Sequence, residues 1–500
     1  MPENGQEKPK EQEYDAEMVA KTVNRWLGNP ISRSFLRLAA GDTEEGPRLE
    51  TLLRKYIGDN VRFHGIRDRL GFRVVRFAIG RGSGSFGVTK EDMISGLREP
   101  IFRRAIVNIL EGIAKFGVQR PQTASAPFLV VWGFTHCCNL RCEHCYEDSD
   151  GSFLPDELTT EEAKKAIDDF ARAGVVAIAF SGGEPLMRKD FFEVARYAAD
   201  RDFYVTMATN GTLVTPEVAN KIKEAGVSYV EISLDGFEEQ HDRLRRVPGA
   251  WKKACQGIRN CVAAGLDTCA ATTVTRYNYK IMPKLMDFVE KELGANRMIC
   301  FNFVPSRRGK YMAEQDITPE EREELLKLLY SKLAGNGCRL QTLSTAPQFS
   351  RVAQEFGGDG PAITTHFTNR SAAEALRGRA KYLGDFIGGC GAGRLYCGME
   401  PNGDIEPCVF IPIIIGNVKR QGIREIWESA PELKKIRQRE KFEGCGTCKY
   451  VCSCGGCRAR AYGYFGDLAG PDPGCIRNRK YWDMVRQGKQ AKEQVLMRTE

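Results

Sequence analysis

No run in this 500-residue sequence approaches the ~18 consecutive apolar residues of a membrane span, and the richest stretches, Pro127–Phe134 and Ile411–Ile415, are strand-sized. The first residues, MPENGQEKPKEQE, hold no apolar core of the kind a secretory signal carries. A secreted or membrane-spanning protein is therefore not expected, and a cytoplasmic one is. Strong charge is missing too: 73 basic against 65 acidic side chains leave +8, too mild at this length to imply nucleic acid. Internal repeats and low-complexity tracts are absent. Residues 1–125 contain no cysteine.

Cysteine is abundant elsewhere, with eighteen in the chain. Without an export signal they argue for metal ligation over disulfides. A composition of 42% hydrophobic and 28% charged residues is that of a folded globular protein. At ~150 residues per domain the length suggests about three domains.

Along residues 1–125, Glu13–Leu27 and Leu49–Ile57 read as helices, and Glu91–Phe116 as a longer one broken at Pro100, so a mostly helical accessory domain is expected. Between them Arg62, Arg67, Arg69, Arg73, Arg76 and Arg81 face a single Asp68, and the glycines after Arg81 read as a loop. These arginines suit a solvated face, or a dock for an anionic substrate group or a membrane surface.

From Pro127 short β-branched runs begin, at Phe128–Phe134, Val175–Phe180, Phe203–Ala208, Ser228–Ser233, Ala270–Val274 and Met298–Val304. Helical patterns alternate with them, near Thr159–Ala173, Asp190–Asp200, Thr215–Ala225, Gly249–Ala264 and Pro283–Leu293. This alternation predicts an α/β fold, a parallel sheet covered on both faces. Six units are two short of an eight-fold barrel, so a partial (β/α)6 TIM-type barrel over 126–310 fits, with its chemistry beyond the C-terminal strand ends. Residues 311–389 read as a linker and substrate-side region, 390–480 as a cysteine-rich domain held by metal, and 481–500 as a polar tail.

After the first predicted strand comes Thr135-His-Cys-Cys-Asn-Leu-Arg-Cys-Glu-His-Cys-Tyr146, in which Cys138, Cys142 and Cys145 are spaced C-x3-C-x2-C. Three thiolates in eight residues can wrap one iron–sulfur cluster and leave its fourth iron open. Zinc with His136 or His144 as fourth ligand is the rival on spacing alone. Cys137 reads as a packed thiol.

This triplet followed by an aromatic residue resembles the signature of the radical S-adenosylmethionine (SAM) superfamily. Matching pieces follow at later strand ends: Ser181-Gly-Gly-Glu-Pro185, Thr209-Asn-Gly-Thr212, Ser233-Leu-Asp-Gly236 and the Arg245-Arg246 pair. The resemblance implies that Gly182, Gly183, Glu184 and Pro185 hold the methionyl amino group. It sets Tyr146 near the adenine and Asn210, Ser233 and Asp235 near the cofactor. Arg245 or Arg246 would pair with the methionyl carboxylate. It implies reductive cleavage to a 5′-deoxyadenosyl radical, which takes hydrogen from an unactivated C–H bond, and an electron donor such as ferredoxin or flavodoxin.

The later cysteines, Cys390, Cys397, Cys408, Cys445, Cys448, Cys452, Cys454, Cys457 and Cys475, resemble the SPASM extension of radical enzymes, which carries two auxiliary four-iron clusters. By that analogy Cys390, Cys397, Cys408 and Cys457 hold one cluster, and Cys445, Cys448, Cys454 and Cys475 the other. Three [4Fe-4S] clusters in all are implied. The spacing Cys454-Gly-Gly-Cys457 departs from the usual pattern and leaves Cys452 surplus; a pair of zinc ribbons is the rival. Cys255, Cys261, Cys269, Cys300 and Cys338 read as buried small hydrophobes. The segment Cys454–Cys475 is similar to the branch that trims tetrapyrrole side chains in haem and haem d1 biosynthesis, with peptide and cofactor maturases nearby. An oxidative enzyme on a tetrapyrrole or similar anionic or lipid-like small molecule is the leading expectation. A peptide maturase with a leader-binding winged helix in 1–125 is the second, and a non-enzymatic iron–sulfur carrier the third.

Overall fold

The computed structural model describes residues 30–43, 46–85, 90–335, 339–356, 386 and 388–496. Six parallel strands form where alternation predicts them: β1 (Leu129–Thr135), β2 (Ala177–Gly182), β3 (Tyr204–Thr209), β4 (Tyr229–Ser233), β5 (Asp267–Val274) and β6 (Arg297–Asn302). Each crosses to the next through at least one helix. The first of these helices, Thr160–Ala173, starts at a capping box of Thr159 and Glu162 and stops at Gly174, whose φ of 82° ends the helical turn.

Strand side chains alternate between faces. Val130, Ile178 and Val205 sit side by side in register and, with Trp132, Phe180 and Met207, face the helices in the main core. The intervening positions, Leu129, Val131, Ala177, Ala179, Tyr204 and Thr206, line an internal cavity. Both faces are thus covered, which is why the strands read as nearly continuous apolar runs.

The sheet continues past the six expected strands. A seventh parallel strand, β7 (Gln341–Ser344), pairs with β6 inside the segment expected to be a linker. On the other side β8 (Tyr396–Met399) pairs in parallel with β1, and β9 (Asp404–Glu406) and β10 (Gly416–Asn417) follow antiparallel. The order β10-β9-β8-β1-β2-β3-β4-β5-β6-β7 is linear, so the barrel is open. Residues of β1 and β7 nonetheless line the same cavity, so the sheet wraps around it. The cysteine-rich segment therefore joins the barrel through backbone pairing.

The N-terminal region is helical: Pro30–Ala39, Arg48–Tyr56, Ile66–Ser85, Lys90–Arg98 and Pro100–Phe116, packed around Leu52, Leu53, Val75, Leu97 and Val107. The expected break falls at Glu99, before Pro100. The glycine-rich stretch after Arg81 is no loop at its start, because the helix runs on to Ser85; glycine weakens a helix by ~1 kcal/mol without forbidding it. The expected helix Glu13–Leu27 lies outside the described residues. The helix Pro100–Phe116 docks on the barrel through buried Asn108, whose amide donates to the carbonyls of Ala126 and Gly174 at 3.2 and 2.9 Å. Among the described residues no helix is long and apolar enough to cross a membrane.

Candidate active site

The loop after β1 is folded by its own polar groups. The Cys137 amide donates to Thr135 Oγ1 at 3.1 Å, the His136 amide to Glu157 Oε1 at 2.9 Å, and the Cys138 amide to the Asp150 carbonyl at 2.6 Å. This turns buried Cys137 away from the cavity that its neighbours line, its thiol 3.5 Å from the Gly151 carbonyl. Cys138, Cys142 and Cys145 instead line one cavity of about 120 Å³ together with Gly182, Gly183, Asn210, Ser233 and Arg245.

Two glycines let the β2 loop lie against this backbone. A Cβ on Gly183 would stand 2.2 Å from the Cys137 carbonyl oxygen. One on Gly182, whose φ is 106°, would stand 2.7 Å from that of Thr135. Glu184 and Pro185 are buried behind them. The Glu184 carboxylate accepts the Thr209 hydroxyl at 2.8 and 2.9 Å and the Asn210 amide at 2.8 Å, tying the β2 and β3 loops together. Burial pushes its pKa up to about 7 against those donors.

The two adjacent arginines part company. Arg245 ends the helix Glu238–Arg245 and points inward. Its Nε donates to Asp235 Oδ2 at 2.7 Å and its Nη1 to Cys142 Sγ at 3.5 Å. Arg246, at φ 57°, is half exposed and pairs with Glu143 at 3.3 Å. Asp235 is fully buried; burial raises its pKa, but Arg245, His144 and His241 together bring it below the ordinary value. Its role is to hold Arg245. Burial, offset only in part by Asp235, lowers the His144 pKa to about 4, so this imidazole is neutral.

Burial pushes the Cys138 thiol up to about 12, with Cys142 and Cys145 adding to the shift, and raises Cys145 as well. Such thiols ionise only against a strong positive charge, which a coordinated metal supplies. The donor set fits a three-thiolate cluster. Among the described residues no three His, Cys, Asp or Glu side chains converge tightly enough for a single ion; a four-iron cube spreads its thiolates over a wider body.

Tyr146 stands between this cavity and a larger one. Its hydroxyl meets Ser181 Oγ at 2.7 Å, and its ring lies 4.8 Å from that of Phe410. The larger cavity, about 550 Å³, runs inside the barrel from Tyr146 and Phe410 to Phe102 of the helix Pro100–Phe116, with Cys390, Cys408 and Cys457 in its wall. Glu231, inward-facing on β4, lines both cavities.

Among the second group of cysteines, Cys390, Cys408 and Cys457 lie near one another: each of the latter two is raised by burial first and by Cys390 in addition. Cys397 does not join them; it is fully buried in the main core, raised by burial alone. Cys445, Cys454 and Cys475 form a second close set, and Cys448 lies beside Arg477. The Cys452 thiol donates to the Arg120 carbonyl at 3.5 Å. Cys255, Cys261, Cys269 and Cys300 are buried; Cys338 lies outside the described residues.

The N-terminal arginines are elsewhere. Arg67 caps the helix Pro30–Ala39 through the Arg37, Leu38 and Ala40 carbonyls, and Arg62, Arg69, Arg73 and Arg76 are exposed. None of these lines either cavity. The Arg81 side chain is outside the described residues. Sequence reasoning missed Glu231, a lone carboxylate within a strand, and Arg308. The latter clamps the cysteine loop through the Cys142, Asp148 and Ser149 carbonyls at 3.1, 2.8 and 2.7 Å. Only the inward register of β4 would have singled out Glu231; nothing local marks Arg308.

Residues 132–289 match the Radical SAM superfamily, and residues 390–455 match SPASM, an iron–sulfur cluster-binding domain. The chain is 37% identical to the AdoMet-dependent heme synthase of Methanosarcina barkeri, over 70% of this chain and 97% of that one. It is 32% identical to the mycofactocin maturase MftC of Mycobacterium ulcerans, over 70% of this chain and 88% of that one. In fold it is similar to Streptococcus suis SuiB bound to S-adenosylmethionine, with a TM-score of 0.60 at 15% identity, covering 86% of this chain and 93% of that one. With one match taking in the three-cysteine loop and the other taking in Cys390 and Cys408 of the larger cavity's wall, the chain belongs to the radical SAM superfamily, in its SPASM-bearing haem-synthase and maturase branch, and is an enzyme.

Proposed function

We propose that this enzyme holds a carboxylate-bearing tetrapyrrole in the 550 Å³ cavity and oxidises an unactivated position on one of its side chains. The observation that carries the reading is the cavity's placement. One end opens at Tyr146 and Ser181 beside the three-cysteine loop, and Cys390, Cys408 and Cys457 stand in its wall. Its volume falls in the ~300–1,000 Å³ range of small-molecule sites. Leu129, Val131, Ala177, Ala179, Ile299 and Phe301 give it apolar walls suited to a flat macrocycle. The 37% identity to a protein named a heme synthase supports the substrate class.

When bound, a reduced four-iron cluster with S-adenosylmethionine supplies a 5′-deoxyadenosyl radical. The chain's residues bind and orient. Cys138, Cys142 and Cys145 ligate, Arg245 offers its guanidinium to the methionyl carboxylate, and Asn210 and Ser233 line the cofactor's side of the cavity. Gly182 and Gly183 give close backbone approach. Tyr146 and Phe410 divide the cofactor from the substrate. Two further sets of thiols, around Cys408 and around Cys454, hold auxiliary clusters, and a small reducing protein is the electron source. Recognition of substrate carboxylates does not fall to Arg62–Arg76, which face solvent.

Anaerobically reconstituted protein, reduced and given S-adenosylmethionine with an iron tetrapyrrole bearing deuterated propionates, is expected to transfer deuterium into 5′-deoxyadenosine. The Cys138/Cys142/Cys145→Ala variant should form none, and iron should fall from about twelve to about eight per chain. Turnover with peptides alone would replace the substrate class with that of a maturase, a reading the 32% identity to MftC favours. Against it, the strand pairing among the described N-terminal residues is one two-residue ladder, Asp42–Thr43 with Gly46–Pro47, short of a winged helix.

A further inference from the structure

Strand β8 decides which cysteines reach the cavity. Tyr396 faces the cavity, and strand side chains alternate, so Cys397 faces the opposite way. There it pairs in register with Val130 and belongs to the same apolar core as Trp132, Phe170 and Trp427, with no exposed surface. Bringing its thiol to the cavity side would need a one-residue slip of β8 against β1, which would turn Tyr396 and Met399 over as well. Tyr396 is fixed where it stands, its hydroxyl 3.0 Å from Cys408 Sγ.

Cys390, Cys408 and Cys457 line the cavity as a set. None of the described histidines, His64, His136, His144 and His241, lines it, and Cys452 turns its thiol to the Arg120 carbonyl. Asp472, the carboxylate beside Cys457, is engaged by the Cys457 amide at 2.8 Å, the Gly474 amide at 3.0 Å and the Arg460 guanidinium at 3.3 Å. Three thiolates leave one corner of a four-iron cube without a protein ligand.

We propose that the auxiliary cluster nearer the barrel is held by Cys390, Cys408 and Cys457 alone, and that its fourth iron faces the substrate cavity, open to an anionic ligand entering there. Cys397 is a core residue and not a ligand. The inference rests on the chain being an iron–sulfur enzyme and is independent of the tetrapyrrole reading, since its test uses no substrate.

The test starts from full-length, anaerobically reconstituted Cys138/Cys142/Cys145→Ala protein, which retains the auxiliary clusters at about eight irons per chain. Adding Cys397→Ala or Cys452→Ala should leave the iron content there, whereas adding Cys408→Ala should lower it to about four. In the reduced parent, ¹³C-labelled cyanide should shift the electron paramagnetic resonance spectrum of one cluster and show a ¹³C coupling. Loss of about four irons on Cys397→Ala or Cys452→Ala, with the melting temperature kept, would overturn the assignment. So would a spectrum indifferent to cyanide. Should Cys397→Ala fail to fold, the cyanide measurement decides alone, because it leaves Cys397 in place.

Discussion

Arg245 lies between Asp235 and Cys142, donating 2.7 Å to the carboxylate and 3.5 Å to the thiol. One guanidinium thus joins the end of β4 to the cysteine loop. It keeps a buried positive charge where an anionic cofactor group and an anionic cluster would meet. Fully buried Asp235 offsets that charge and fixes its direction, with the Thr273 amide donating to the other carboxylate oxygen at 2.9 Å.

Arg245→Ala would leave Asp235 buried and unpaired, a change that costs about 3–5 kcal/mol. S-adenosylmethionine affinity should weaken by about tenfold or more. Arg246→Ala, at an exposed position, should change stability by no more than ~0.5 kcal/mol and leave affinity unchanged. Calorimetric titration of the two variants checks this; equal losses at both positions would reject the assignment of Arg245.

Gly183→Ala presses a methyl group onto the Cys137 carbonyl, a contact of 2.2 Å against backbone that has no flexible end to yield. An overpacking cost of about 1–3 kcal/mol is expected. The cysteine loop should move with it, so 5′-deoxyadenosine formation should fall further than stability does. Gly151→Ala, with open space around it, is the control. A Gly183→Ala enzyme with parental cleavage rates would show that the β2 loop does not set the site.

The contrast between Arg245 and Arg246 shows where sequence reading stops. Alternation in runs such as Phe128–Phe134 located six strands to within a few residues, because a strand covered on both faces is apolar throughout. Gln341–Ser344 escaped, since its four residues carry a single large apolar side chain, Leu343, and its pairing depends on β6. The motif Gly182–Gly183 was legible because close backbone contact admits no other residue. Which of two neighbouring arginines turns inward depends on the helix phase at Glu238–Arg245. Whether Cys397 ligates depends on the register of a four-residue strand inside a cysteine-rich segment. Spacing counts thiols and cannot say which face of a strand each one takes.

Arg460 couples the two ends of the chain's chemistry. Fully buried, it meets Asp316 at 2.8 Å and Asp472 at 3.3 Å, and its Nη1 donates to Asn302 Oδ1 at 2.9 Å. Asn302 ends β6, while Asp472 accepts the Cys457 amide. Arg460→Leu would take the ion-pair partner from buried Asp472, while Arg322 keeps Asp316, and should cost about 3–5 kcal/mol. Anaerobic urea denaturation should show that loss, accompanied by reduced auxiliary iron. Replacing exposed Arg479 in the same way should leave both unchanged, and a neutral Arg460→Leu would show that the network does not hold the domains together.

Glu231 carries the pH dependence that is easiest to isolate. Burial on β4 pushes its carboxyl up to about 7, against a smaller opposing effect of Tyr229, from an ordinary ~4.3. Between those values the folded chain keeps a proton that the unfolded chain releases. The stabilisation is therefore full below about pH 4.3 and is lost progressively as pH rises through about 7. Glu231→Gln keeps the side chain's size and removes its ionisation. The variant should melt higher than the parent at about pH 8, and the gap should narrow as pH falls toward about 5.5. Calorimetric scans of both proteins across that range test the assignment, and a gap that does not vary with pH would mean that Glu231 reaches water and ionises normally. Because this side chain lines both cavities, a neutral carboxyl there presents a hydrogen-bond donor to whatever lies between the cofactor and Cys390, Cys408 and Cys457. Raising the pH through 7 replaces that donor with a negative charge, so affinity for an anionic substrate should fall over the same interval in the parent and stay level in Glu231→Gln.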